Sequence, residues 1–173
     1  MAFVNVSDNL SDLAYYEKVS SKKTELLFLG LALLFLLLAL WRLEAAGRGT
    51  VSTLLFAAFF FFLFYALNYR TLTIRLTPQE LKLRFGLFRW TIPIDNVERS
   101  YQDEASLWRI GGAGIHFSSF EGRYRVMFNF LEYPRVVVSL KEKRGPVRDV
   151  AFSTQQPEQV MALLREFAAK QSE

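Results

Sequence analysis

Two apolar runs dominate the first part of the chain. Residues 26–41 carry no polar side chain, and with the positions beside them they give about 20 residues, enough for a helix to cross a bilayer. The second run, residues 51–67, is polar only at Ser52 and Thr53, near one end, where backbone carbonyls can accept their hydroxyls. The connecting loop is too short to hold a domain. The pattern therefore predicts a transmembrane helical hairpin over residues 24–68.

The segment before the first span, residues 1–23, is less regular. A candidate helix cap at Ser7 precedes a short amphipathic pattern that ends at Glu17. This pattern predicts either a short interfacial helix on the membrane surface or a disordered segment.

The spacing of apolar residues along the chain changes after residue 68. Apolar and polar side chains alternate from Thr71 onward, which is the period of a strand with one buried face. An amphipathic helix follows Pro157, because apolar residues recur there at helical spacing. Residues 69–173 are therefore predicted to form a small all-β barrel or bent sandwich, closed by a C-terminal α-helix. The predicted strands cover residues 71–76, 81–85, 87–92, 97–101, 114–117, 124–130, 135–141 and 147–152.

Composition and charge favour a membrane location. Hydrophobic residues make up 51% of the chain and charged residues 22%, a richer apolar share than soluble domains carry. Lysine and arginine flank the two spans more densely than they occupy the loop between them, so we expect both termini to be cytoplasmic. A cleaved signal peptide ending within residues 43–47, which offer small side chains after the apolar run, is the alternative, but the second apolar run argues against it. The flanking cations are Lys18, Lys22, Lys23, Arg70, Arg75, Lys82 and Arg84, against Arg42 and Arg48 in the loop.

The sequence contains few residues of the types that commonly act in catalysis or bind metal ions. The chain has no cysteine and a single histidine, His116, which removes thiolate sites and the usual zinc and acid–base clusters. Asp103 and Glu104 are neighbours that point apart, and the glycine-rich run 111–114 lacks the Gly-Lys-Ser/Thr of a phosphate loop. No basic stripe interleaves with aromatic residues as in nucleic-acid-binding domains. The sequence therefore predicts a protein that is not an enzyme, with no metal, no cofactor and no nucleic-acid partner.

A series of turns and core positions after residue 68 carries a resemblance to a known family of domains. The series comprises Leu72-Thr73-Ile74, Thr77-Pro78-Gln79-Glu80-Leu81, Phe85-Gly86-Leu87-Phe88-Arg89-Trp90-Thr91-Ile92-Pro93, Asp95-Asn96-Val97 and Trp108-Arg109-Ile110-Gly111. Because of this series, residues 69–168 resemble bacterial pleckstrin-homology-like domains that follow a pair of membrane helices. The resemblance implies a seven-stranded PH-like barrel with a C-terminal helix, a place in the bacterial inner membrane, and a non-catalytic role in binding proteins or lipids.

Three basic residues form the candidate binding site. Arg75, Lys82 and Arg84 have a spacing similar to that by which lipid-binding pleckstrin-homology domains surround an inositol phosphate. Alternation along two neighbouring strands places all three side chains on the polar face. They are candidate ligands of an anion or a lipid headgroup, and the alternative is a solvated basic face that holds the domain near an anionic leaflet.

Aromatic residues form the second candidate surface. The region from residue 101 to residue 133 holds more large apolar groups than one barrel face can cover, so some of them are candidates for docking a partner. We expect membrane lipids and an integral-membrane protein as partners, and the chain as an accessory subunit or assembly factor of a larger membrane complex. Some membrane-anchored proteins of the resembled class are associated with photosynthetic complexes. The alternative is an anionic-lipid-binding or envelope-homeostasis module. The docking candidates are Trp108, Phe120, Tyr124 and Tyr133.

Overall fold

The computed structural model describes residues 13–106, 111–120 and 122–171. Two long helices precede most of the strands, and a third helix follows the last strand. In chain order the elements are β1 (Tyr15–Ser20), α1 (Lys22–Ala46), α2 (Thr50–Asn68), β2 (Thr71–Leu76), β3 (Glu80–Phe85), β4 (Phe88–Pro93), a 3-10 turn (Ile94–Asn96), β5 (Val97–Gln102), β6 (Gly114–Phe120), β7 (Arg123–Asn129), β8 (Arg135–Arg144), β9 (Val147–Ser153) and α3 (Pro157–Lys170).

Helices α1 and α2 are both long enough and apolar enough to cross a membrane, as the sequence predicts. They pack along an aromatic seam, in which the rings of Phe35 and Phe62 stack with centroids 5.3 Å apart. Small residues such as Ala39 are buried beside this seam. Most other side chains point outward, and Leu33 and Phe60 are 56% and 62% exposed. Exposed apolar surface of this extent is typical of a membrane or protein contact.

The first sheet has the order β1-β2-β3-β4, and all its pairs are antiparallel. Strand β1 differs from the interfacial or disordered segment predicted for residues 1–23, of which residues 1–12 lie outside the described part. Tyr15 and Val19 are buried, whereas Tyr16 and Lys18 between them face outward, which is the period of a strand. The prediction was wrong for β1 because its pairing partner, β2, follows the helical hairpin.

The second sheet has the order β5-β8-β9-β7-β6, with β7 and β9 parallel and the other pairs antiparallel. Each strand predicted after residue 68 is present, and so is the C-terminal helix. The buried stripe of α3 contains Val160, Leu164 and Phe167, which pack into one core with apolar residues from both sheets. Full burial of one such side chain contributes about 1.5 to 3 kcal/mol. The two sheets and α3 therefore form a single packed unit.

Of the barrel and the bent sandwich predicted for residues 69–173, the closed barrel is not formed by the residues that the structure describes. Within the described ranges, no strand ladder joins the two sheets. Pro93 has no backbone N–H, and the 3-10 turn Ile94–Asn96 redirects the chain between β4 and β5. The domain is therefore a two-sheet sandwich with a covering helix.

The helical hairpin is attached to the sheets at its base. Strand β1 leads into α1, α2 leads into β2, and Ser20 pairs with Thr71 at this junction. Across the junction, the Thr24 hydroxyl accepts a hydrogen bond from the Leu131 N–H at 3.3 Å. The Tyr133 hydroxyl donates to the Ser20 carbonyl at 2.9 Å. The hairpin base and the second sheet are therefore held together by specific contacts.

Candidate functional site

A cleft of about 1140 Å³ lies in the corner between the outer face of the first sheet and the base of the helical hairpin. The inner face of this sheet carries the core, and the outer face carries polar side chains from all four strands. Seven basic side chains and one carboxylate, Glu25, line the cleft. The basic residues are Lys18, Lys22, Arg70, Arg75, Lys82, Arg84 and Arg89.

Strand register arranges the basic side chains of the first sheet in two rows across it. In one row Arg75 lies directly opposite Lys82, with Tyr16 on the far side of Arg75. In the other row Arg84 lies directly opposite Arg89. Like charges in directly opposed positions destabilise a sheet, because their Cβ atoms are only about 5 Å apart. The cleft thus contains two pairs of cations whose positions favour a bound anion.

Few carboxylates neutralise this charge. Lys82 forms an ion pair with Glu80, and Arg70 forms one with Glu25 at 2.9 Å. The other five basic residues of the cleft have no carboxylate within ion-pair distance among the residues that the structure describes. The Arg75 guanidinium instead lies over the Tyr16 ring, 5.5 Å from its centroid. The cleft therefore carries an excess of positive charge.

Gly86 sets the position of the β3–β4 turn against the hairpin. Its φ is +60°, and a Cβ at this position would overlap the carbonyl oxygen of Asn68 at the end of α2. Only glycine combines this backbone conformation with so close an approach. The contact fixes Arg84 and Arg89, which flank the turn, beside the end of α2.

The three cations predicted from the sequence, Arg75, Lys82 and Arg84, line one cleft together. Four further cations of the cleft were not predicted to join this site: Lys18, Lys22, Arg70 and Arg89. A signal existed for Arg89, because a tight turn at Gly86 places it opposite Arg84. No local signal existed for Lys18, whose strand joins the sheet from beyond the hairpin.

The three docking candidates that the structure describes, Phe120, Tyr124 and Tyr133, do not share one surface. Trp108 is outside the described residues. The Phe120 ring lies 5.0 Å from the Arg125 guanidinium, and the Tyr133 hydroxyl is bonded to Ser20. Tyr124 is 54% exposed on β7, so it remains available to a partner.

A second charged cluster is buried on the face of the second sheet opposite the core. Arg125 is 2% exposed and lies between Asp103 at 3.4 Å and Asp149 at 3.6 Å. Arg135 also pairs with Asp103, and Arg123 with Asp149. The opposite charges in this cluster compensate each other, so its geometry favours a structural role.

The cleft, with its seven basic side chains, is therefore the candidate site for an anion. No protein-family model matches the chain, and a search of curated proteins found none significantly similar to it.

Proposed function

We propose that the chain is a membrane-anchored, non-catalytic module that binds anionic lipid headgroups in the cleft. The proposal rests on two pairs of opposed cations beside the ends of two membrane-length helices. Arg84 lies opposite Arg89, and Arg75 lies opposite Lys82. Sequence resemblance to bacterial pleckstrin-homology-like domains supports the same function.

The position of the cleft favours a lipid over a free anion. Lys22 begins α1 and Asn68 ends α2, and both line the cleft. If the hairpin crosses the bilayer, these residues lie near the headgroup level. A lipid whose acyl chains run along the hairpin would bring its phosphate to the mouth of the cleft. Arginine can then bind phosphate oxygens in a bidentate geometry.

The charge distribution also supports an orientation. The basic residues lie at the base of the hairpin and on the sheets, which favours the cytoplasmic side of a bacterial inner membrane for this part and for both termini. That leaflet attracts basic segments when it contains anionic lipid.

A lipid-dependent unfolding experiment tests the proposal on the full chain in mild detergent. Dioctanoyl phosphatidylglycerol should raise the unfolding temperature, whereas dioctanoyl phosphatidylcholine and inorganic phosphate should have little effect. A ligand at one hundred times its Kd stabilises the folded state by about 2.7 kcal/mol. An equal response to inorganic phosphate would show that the site binds phosphate without a lipid.

A matched pair of triple variants identifies the site. Replacing Arg75, Lys82 and Arg84 by glutamine should abolish the phosphatidylglycerol response. The control replaces Lys141, Arg148 and Arg165, which are exposed and outside the cleft lining, and removes the same charge. Equal loss in both variants would mean that net charge alone attracts the lipid, and the headgroup site would be rejected.

We also propose a second function, as accessory subunit or assembly factor of an integral-membrane complex. It is supported by Phe117, 64% exposed, and Tyr124, 54% exposed, on paired strands of the second sheet. Register makes them diagonal neighbours, close enough for both rings to enter one interface. Purification in mild detergent should recover a stoichiometric membrane protein, photosynthetic or other, that is lost in the Phe117→Ser, Tyr124→Ser variant. A chain that purifies alone from its native membrane contradicts this function.

A further inference from the structure

The β3–β4 turn carries two exposed apolar side chains. Leu87 is 71% exposed and Phe88 is 52% exposed. Strand β2 starts at the hairpin base, and its first residues pair with the last residues of β3, where Leu72 lies opposite Phe85. The turn after Phe85 therefore lies at the end of the first sheet that is attached to the hairpin.

Contacts with α2 place this turn next to the apolar surface of the hairpin. A Cβ at Gly86 would overlap the Asn68 carbonyl oxygen, so the turn lies directly against the end of α2. The Phe88 ring stacks on Tyr69, directly after α2, with ring centroids 6.1 Å apart. Leu67, on the last turn of α2, is itself 61% exposed. The exposed apolar surface of the helix therefore continues onto the turn.

The opposite end of the same sheet has a different chemistry. The β2–β3 turn consists of Thr77, Pro78 and Gln79, and Gln79 is exposed. The apolar turn is flanked instead by Arg84 and Arg89, whose long side chains can reach phosphates while the turn itself lies deeper. An apolar tip between cations is the composition of segments that insert into a membrane interface.

We propose that Leu87 and Phe88 insert into the boundary between headgroups and acyl chains, as a third membrane contact beside the two helices. This inference rests on the hairpin crossing the bilayer, and it is independent of headgroup binding in the cleft. Insertion holds the first sheet at a constant distance from the bilayer, with the mouth of the cleft facing the headgroups. The expected depth of the tip is about 5 to 10 Å into the interface.

Depth-dependent quenching tests the proposal. Because the chain has no cysteine, Leu87→Cys, Gln79→Cys and Leu33→Cys each provide one labelling position in the full chain. Each variant is labelled with a polarity-sensitive fluorophore and reconstituted in vesicles of phosphatidylcholine and phosphatidylglycerol. The vesicles contain spin-labelled lipid with the nitroxide either near the headgroup or in the middle of the chain. Gln79 is the matched control, since it is an exposed turn residue at the other end of the sheet.

The label at Leu87 should emit at shorter wavelength than the label at Gln79 and lose most of its emission to the shallow quencher. The label at Leu33 should respond most to the deep quencher. A Leu87 label that behaves like Gln79, with Leu33 still quenched, overturns tip insertion and leaves the hairpin intact. An emission shift at Leu87 without lipid quenching also overturns it, because the tip would then be covered by a second copy of the chain. If Leu33 is not quenched, the hairpin does not cross the bilayer and both proposals fail.

Discussion

The Thr154 hydroxyl donates a hydrogen bond to the Glu17 carboxylate at 2.6 Å and so connects β1 to the segment that precedes α3. The same carboxylate accepts from the Gln155 N–H at 2.8 Å and from the Tyr15 hydroxyl at 2.8 Å. Burial raises the pKa of Tyr15 to about 12, so this hydroxyl remains protonated near neutral pH. Glu17 thus holds an edge strand that comes before the helical hairpin against the last part of the domain.

Glu17→Gln should destabilise the folded domain. Hydrogen bonds to a charged group contribute about 1.5 to 3 kcal/mol, against about 1 kcal/mol for neutral partners, so the expected loss is on the order of 1 kcal/mol. Denaturant unfolding of the detergent-solubilised chain, followed by tryptophan fluorescence, measures it. The control is Glu142→Gln, an exposed carboxylate on β8, which should change stability by less than about 0.5 kcal/mol. Equal midpoints for the two variants would contradict the role of Glu17.

Arg89→Gln should stabilise the lipid-free protein while it weakens lipid binding. Removing a like charge directly opposite Arg84 is expected to add about 0.2 to 1 kcal/mol to the free energy of unfolding. The gain should shrink as salt is added, because both side chains are exposed. Thermal unfolding at low and high salt, with and without dioctanoyl phosphatidylglycerol, separates the two effects. The comparison variant is Arg148→Gln, outside the cleft, and a lower stability for Arg89→Gln than for this control would argue against a repulsive pair.

Gly86→Ala should cost more stability than Gly145→Ala. Both glycines have positive φ, +60° and +62°, so both variants incur the backbone strain of a left-handed conformation. A Cβ at Gly145 meets no atom within 4 Å, whereas a Cβ at Gly86 overlaps the Asn68 carbonyl. The excess for Gly86→Ala is expected to be about 1 to 3 kcal/mol, the usual cost of overpacking. Unfolding midpoints in detergent measure it, and a matched loss in both variants would show that the turn does not press against α2.

Arg125→Met should be among the most damaging substitutions in the second sheet. It leaves Asp103 and Asp149 with one arginine partner each, in a site where the three side chains are at most 4% exposed. Removing one member of a buried ion pair costs about 3 to 5 kcal/mol. Arg148→Met, at an exposed position of β9, serves as the control in the same denaturant titration. A loss below about 1 kcal/mol would mean that water or a neighbouring group replaces the guanidinium.

Local signals were sufficient for most of the secondary structure. The helical hairpin, the strands after residue 68 and α3 follow from hydrophobic period and turn residues, which depend on near neighbours along the chain. The grouping of Arg75 with Lys82 and Arg84 was equally predictable, because a short turn joins their strands and alternation places them on one face.

Pairings between distant segments were not predictable in this way. Strand β1 pairs with β2 across the helical hairpin, and its own short pattern resembled the start of a helix. The predicted barrel does not close because the chain turns at Pro93 without extending the ladder. These outcomes depend on which sheet edges meet. The alternation of apolar residues shows which face of a strand is buried, but it does not show which strand pairs with it.

The amino-acid sequence by itself determined two membrane-length helices, a set of strands with one apolar face, and a basic polar face, since each is a periodic property of a short segment. Only the tertiary structure decided that Lys18, Lys22, Arg70 and Arg89 join the three predicted cations in one cleft, and that Leu87 and Phe88 lie beside the hairpin. The reason is geometric: antiparallel register and the attachment of both helices to one end of the first sheet bring together residues that are far apart in the chain.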